Sequence, residues 1–426
     1  MPMLGENEAV LVSSLVGFFI GDVFTNNNLS VDGGRESFYI FNAGSYSTSY
    51  THILSRAMVL SAIYLTSFVT ICSRLCLVPI NKNSKSTKWC VSRPRITFVF
   101  WSALLVILLV MYYAVSYQFR EDAILWTVAY IGSSTFRTWT FILWGSLIPI
   151  AVVLVDVLTR RVKSTVRRKL FHFIGVISFT PVVMIDPIFF AFAISTATSV
   201  CLMVEVGRFF QVYGTSRLSA FLKHHIDERE STDGIIRTHM YLIFGMGASL
   251  ILHYRHVQNS IREIPAIMEL AYNLIPGVIS LGVIDSAAAI VGSSFMLRYR
   301  KASGVPQNKF FTGRANPSIS HKTTTGTIGG FVAGLLFWIL ILKLAEVPLM
   351  SLPTMYSFLM IAAATLTECF MDGIDNLQLP LVMISATCHL FALLMGESQL
   401  WLNEEMRRPN PTTASSLASA LRSAWR

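Results

Sequence analysis

The chain has 426 residues, 53% of them hydrophobic and 14% charged, with a mean hydropathy of +0.56 and a formal net charge of +10. Soluble domains carry about 25% charged residues, so this composition excludes a disordered, collagen-like or disulfide-stapled protein. A soluble core cannot hide this much apolar sequence, and the apolar residues fall into runs long enough to span a bilayer.

Taken in chain order, spans are expected at about 8–24, 57–80, 96–118, 138–158, 170–185, 187–206, 236–254, 269–296, 328–345, 354–370 and 379–401. The fold class is therefore all-α, a polytopic transmembrane helical bundle of about 10–12 spans. The first run follows Glu6 and Glu8 with no basic residue before it. It lacks the basic n-region of a cleavable signal peptide and is expected to be retained. Asn28-Leu29-Ser30, just beyond it, is a glycosylation sequon. Of six cysteines, five lie in apolar runs, where they act as small hydrophobes. Cys72 and Cys76 share a helix face, but no histidine or second cysteine pair completes a zinc pattern.

Segment 170–206 turns at Asp186-Pro187 and is expected to form a helical hairpin. Run 269–296 contains Pro276, Gly277, Gly282 and Asp285, so a broken or re-entrant segment is expected around 276–292. Such backbone is tolerated at membrane depth only where it lines a cavity or is buried in protein. No internal repeat is evident. The chain divides into N-terminal transmembrane helices of unassigned role (1–158), a catalytic transmembrane domain (159–401) and a polar tail (402–426).

The basic residues sort by loop. Loops 81–95, 159–169, 207–234 and 297–327 hold 5, 6, 4 and 6 Lys/Arg of the 34 in the chain. Consecutive basic loops are separated by two spans, so all four share one side, which the positive-inside rule makes cytoplasmic. The same parity puts loop 371–378 on that side. The excess of base is thereby assigned to topology, and no nucleic-acid partner is expected.

Ionisable residues within or beside spans mark function, because each costs roughly 2.5–3.5 kcal/mol at a helix centre. Asp285 is the clearest, set among Gly282, Ser286, Ala287, Ala288, Ala289 and Gly292, which allow close approach. Glu205 and Arg208 have the i,i+3 spacing of an interfacial ion pair. Arg167, Arg168, Lys169 and His172 open the next candidate element, and His172 lies a turn deeper than a stop-transfer cluster requires. His239 reads best as a satisfied core histidine. The stretch His321-Lys322-Thr323-Thr324-Thr325-Gly326-Thr327 runs into a helix. Backbone N–H groups, a helix N-terminus and a lysine are the ingredients of a phosphate cradle, although the spacing is not that of a Walker A loop. Glu368, Asp372, Asp375 and Asn376 supply oxygen ligands suited to Mg²⁺, or alternatively a solvated turn. Carboxylates, a phosphate cradle and a basic rim on one membrane face fit transfer from a nucleotide to a lipid head group.

The same segments resemble the dolichol kinase family, which belongs with the polyprenol kinases and more distantly with CTP-using lipid enzymes. The resemblance is carried by Arg168-Lys169-Leu170-Phe171-His172, Glu205-Val206-Gly207-Arg208, Thr238-His239-Met240-Tyr241-Leu242, the run Leu281 to Gly292, Lys322 to Thr327, and Ile374-Asp375-Asn376-Leu377-Gln378-Leu379-Pro380. It extends over about 160–385. Two positions depart from the family pattern, Ile284 where a glycine is usual and Thr325 where an acidic residue is usual.

The resemblance implies a CTP-dependent kinase, with CTP as co-substrate, that phosphorylates dolichol or a polyprenol at the cytoplasmic face of the endoplasmic reticulum and feeds protein glycosylation. Asp285, Asp375 and Lys322 would be catalytic. Nucleotide would be bound by 321–327 with Arg168, Lys169 and His172, and magnesium by Asp285, Asp375, Asn376 and Glu368. Alternatives are a kinase for another lipid alcohol, a phosphatidate cytidylyltransferase-like enzyme, and a catalytically impaired scaffold or transporter.

Overall fold

The computed structural model describes residues 43–79, 89–158, 164–215, 238–253, 266–293, 323–370 and 378–387. The expected span at 8–24, the sequon, loops 81–88, 159–163, 216–237, 294–322 and 371–377, and the tail lie outside the described residues.

The architecture is a helical bundle. Helices α1 (Ala43–Leu75), α2 (Arg93–Phe119), α3 (Ala123–Gly132), α4 (Thr135–Leu158), α5 (Ser164–Ile185), α6 (Pro187–Phe209) and α7 (Thr238–His253) precede α8 (266–293). They are followed by α9 (Thr324–Leu344), α10 (Leu352–Phe370) and α11 (Gln378–Thr387). Six helices are long and apolar enough to cross a membrane, and five shorter apolar ones join them. Large apolar side chains such as Phe98, Trp101, Leu105, Ile142 and Leu336 face outward. Contiguous exposed apolar surface of this kind marks an interface with lipid or another apolar partner.

The all-α expectation has one small addition. Leu77–Pro79 (β1) and Trp89–Val91 (β2) pair as an antiparallel ribbon, with Val78 opposite Cys90. The span expected at 57–80 begins earlier, at Ala43, and ends at Leu75. Helix α3 was not expected, because ten residues of helix reach only about 15 Å, half a bilayer. Its N-cap is Asp122, whose Oδ1 accepts from the N–H groups of Ile124 (2.9 Å) and Leu125 (2.8 Å).

The hairpin expected over 170–206 is present. Asp186 caps α6, accepting from Phe189 N at 2.9 Å, and Pro187 takes the first helical position, where its missing N–H costs nothing. Arg137 Nε donates to Asp186 at 2.6 Å, its guanidinium lying 4.1 Å from the Tyr130 ring, and so ties α4 to the turn.

Helix α8 is the hub. It packs against α5, α7, α9 and α10, and every residue from Ile275 to Asp285 is buried. The expected break or re-entrant turn does not occur. Residues 266–293 form one unbroken helix whose middle, Ile275–Asp285, is wound as a π-helix. Pro276 has no N–H to donate, and the wider i→i+5 turn begins there. At Gly277 a side chain would collide with the main chain of α7, its Cβ lying 2.7 Å from the Gly245 carbonyl oxygen.

Candidate functional site

The hairpin connections decide which residues share an end of the bundle. Helices α5 and α6 reverse at Asp186, so the start of α5 and the end of α6 lie together. Helices α9 and α10 reverse between Leu344 and Leu352, which brings the start of α9 beside the end of α10. Gly292 of α8 packs on Thr323, and Asp285 meets α5 near its N-terminal end. Lys169, His172, Glu205, Arg208, Asp285, Thr323–Thr327 and Glu368 are therefore all at one end.

Three of these form the centre. The Lys169 ammonium donates to Asp285 Oδ2, and His172 Nε2 lies 4.0 Å from the same oxygen. Lys169, His172 and Asp285 are 8%, 4% and 3% exposed. Lys169 and His172 are one turn apart on α5, so one helix face presents both to Asp285. That face can approach because Gly282, three residues before Asp285, lies against Val176 where any side chain would collide. A second buried ion pair accompanies them. Arg208 grips Glu205 with two bonds, Nε to Oε2 at 2.8 Å and an amino group to Oε1 at 2.5 Å. The i,i+3 spacing identified that pair, but not its burial.

The candidate phosphate cradle is only partly described. Thr323 is the N-cap of α9, its Oγ1 accepting from Gly326 N at 3.2 Å. The first-turn residue Thr324 is exposed. Gly326 lies inside the first turn of the helix, and a Cβ there would sit 2.7 Å from the Ala288 carbonyl oxygen. Gly330, one turn on, would place a Cβ 2.9 Å from the Ile284 carbonyl oxygen. These glycines therefore seat α9 on α8, a use that small residues at a membrane helix interface commonly have.

Of the other expected site residues, Arg168 belongs to α5, while His321, Lys322, Asp375 and Asn376 lie outside the described residues. Glu368 is buried in the last turn of α10. Ile284, which stands where the resembled pattern has a glycine, is fully buried and packs on Gly334 of α9, beside which Ile361 of α10 also lies.

Asp285 fits a cation site in kind, because its carboxylate oxygen already carries a buried positive charge. Among the described residues, however, no three His, Cys, Asp or Glu side chains gather as a metal cluster. Asp285 and Glu368 alone do not make one.

Comparisons with known proteins are specific. The chain is 23% identical over 273 residues to the dolichol kinase of Saccharomyces cerevisiae, covering 62% of this chain and 44% of the relative. It is 26% identical to human dolichol kinase (62% and 47% covered) and 24% identical to the dolichol kinase EVAN of Arabidopsis thaliana (64% and 44% covered). The chain thus spans a little under half the length of these curated relatives. No family model matches, and no solved structure matches.

Proposed function

We propose that this relative of the dolichol kinases is itself a lipid kinase, which transfers the terminal phosphoryl group of CTP to the hydroxyl of dolichol or a related polyprenol. The reaction takes place on the cytoplasmic face of the endoplasmic reticulum membrane, and the dolichyl phosphate formed serves protein glycosylation. The single observation that carries the reading is the buried Lys169–Asp285 pair with His172 beside it, at the bundle end where α9 begins. The likeness to three curated dolichol kinases supplies the substrate class.

Phosphoryl transfer demands little covalent chemistry of a protein, so positioning and charge neutralisation dominate. Lys169 brings a positive charge, the N-terminus of α9 adds backbone N–H groups, and Lys322 and Arg168 extend the rim on which the triphosphate lies. A divalent ion would be held by Asp285 and Asp375, with Asn376 and Glu368 supporting them, and would supply neutralisation of charge developing on the phosphate oxygens. His172 lies within reach of the Asp285 carboxylate, where it can orient that group or take the proton leaving the lipid hydroxyl.

Purified protein in detergent, given dolichol and γ-labelled CTP, is expected to form labelled dolichyl phosphate. Asp285→Ala and Asp375→Ala are each expected to abolish product while still inserting in membranes. Near-normal turnover in either variant overturns the assignment. Product from ATP but not CTP overturns the donor, and pyrophosphate with a CDP-lipid identifies a cytidylyltransferase instead.

A further inference from the structure

A half-open cleft of about 390 Å³ lies between α1, α6 and α7, away from the Lys169–Asp285 centre. Its walls include Ile188, two residues past the Asp186 turn, and Ile251, near the end of α7. Both belong to the end of the bundle opposite the start of α5. We propose that this cleft binds an anionic phospholipid, with the lipid phosphate on the Arg56 guanidinium and one chain along Val59 and Phe192. The site is separate from the phosphotransfer centre and does not depend on the reaction assigned there.

Three features carry the argument. First, the lining suits an amphiphile. It is apolar apart from one charged residue, Arg56, and three hydroxyl residues, Thr51, Ser55 and Ser195. Binding sites for small molecules are mostly apolar with a few placed polar groups, and walls such as Val59 and Phe192 offer a small hydrated anion nothing but offer a lipid chain contact. Second, the charge lies at the right depth. Arg56 precedes the span expected at 57–80, yet the helix carries it inside the span Ile53–Ser73. Three residues of rise amount to about 5 Å, the depth at which hydrocarbon gives way to lipid head groups. A helical side chain leans toward the helix N-terminus, which for Arg56 is the near membrane surface. An arginine within a span is costly and characteristically faces a cavity or the bundle interior. Third, the hydroxyls leave the anion to Arg56. Ser55 Oγ donates to the Thr51 carbonyl at 2.8 Å, and Ser195 Oγ to the Ala191 carbonyl at 2.7 Å. With their hydrogens committed to their own helices, these two oxygens can accept from a guanidinium but cannot hold a phosphate. The planar arginine fork, by contrast, matches phosphate with two parallel bonds.

The test is titration of the full chain in detergent with phosphatidic acid, with retained lipid read by native mass spectrometry. Wild type is expected to hold one lipid tightly. Arg56→Met, with Arg56→Gln made in parallel so that one folded, monodisperse variant suffices, is expected to weaken that binding about tenfold. Arg120→Asn removes an exposed charge just past the end of α2, at the same end of the bundle, and is expected to bind as wild type does. Diacylglycerol with the same chains lacks the phosphate, inorganic phosphate lacks the chains, and neither is expected to be retained. Unchanged affinity in either folded Arg56 variant overturns the site. An equal loss in Arg120→Asn overturns it too, since it marks a diffuse attraction between charges. Retention of diacylglycerol as tight as that of phosphatidic acid refutes the role given to Arg56, and retention of inorganic phosphate as tight refutes the lipid as the occupant.

Discussion

Ile284 stands immediately before Asp285, where the resemblance to the dolichol kinases leads one to expect a glycine, and its neighbour explains how the bundle accommodates it. A Cβ built on Gly334 would lie 2.7 Å from Ile284 Cγ1 and 3.1 Å from its Cδ1. Ile284 is fully buried, and Ile361 closes the same space at 3.4 Å. Gly334→Ala should therefore overpack, at a cost of ~1–3 kcal/mol, against which alanine returns about 1 kcal/mol of helix propensity. The net effect in the wild type is a loss of up to about 2 kcal/mol. In an Ile284→Ala background the clashing atoms are gone. That substitution itself costs ~2–5 kcal/mol, but Gly334→Ala then refills part of the gap and should become stabilising. The sign of the second substitution reverses, with a coupling of ~1–3 kcal/mol, as expected for residues in contact. Heating detergent-solubilised protein and following the surviving monodisperse fraction should show the coupling as roughly 2–6 °C. The reasoning is refuted if Gly334→Ala costs the same in both backgrounds, for then Ile284 does not occupy the α9 interface.

Arg208→Met leaves Glu205 buried without its two-pronged partner and is expected to cost about 3–5 kcal/mol, read as lost thermal stability. Glu205→Gln together with Arg208→Met should recover most of it, and a double variant as damaged as the single would contradict the pairing. At Asp122, which follows the span Arg93–Phe119, the Tyr112 hydroxyl (2.5 Å) and then the N–H groups of Leu125 and Ile124 hold the carboxyl below the usual carboxylate range. A depressed folded-state pKa contributes stability that is complete above the unfolded value of about 3.9 and is lost as pH falls through the folded value. Thermal stability should thus be flat from neutral pH to about 5 on this account, then fall below about 4. Asp122→Asn should remove that acid-sensitive part, and an unchanged acid limb would refute the assignment.

Local signals in the sequence were read well, and pairings between distant residues were not. Asp186-Pro187 announces its own turn, because the cap and the proline act within three residues of each other. The span expected at 96–118 differs from Arg93–Phe119 by only a few residues, since hydropathy is a local property. The start of α1 was missed because Ala43–Ser55 is rich in Ser, Thr and Tyr, and its hydropathy does not mark a span. Lys169 was read as part of a basic, nucleotide-binding rim, whereas in the fold it pairs with a carboxylate 116 residues away. Nothing near it in the chain predicts burial. Gly326 and Gly330 are compatible both with a phosphate cradle and with a helix contact. Their use in packing is decided by the main chain of α8, which only the fold brings close. The residues read as breaking α8 were identified correctly, but their effect was not. A helix enclosed by four others keeps its backbone bonds by widening, where an isolated one would open.

That widening connects the fold to the chemistry. Wide-wound segments gather at functional sites because they shift which side chains share a face. In α8 the π-winding ends at Asp285. From there the helix presents Gly282 and Asp285 to α5, and Ile284 and Ala288 to α9. Close packing on both sides closes the carboxylate off from solvent, leaving it 3% exposed. Under the proposed reaction this exclusion has a purpose. Water competes with the lipid hydroxyl for the phosphoryl group, and a closed site both removes it and strengthens every charge interaction inside. The lipid hydroxyl needs no path through water, since it can approach from the bilayer along the outer faces of the helices. A soluble nucleotide must come from the opposite side, through the basic rim. A carboxylate at the end of the buried π-wound segment, between those two approaches, is where the proposed substrates can meet.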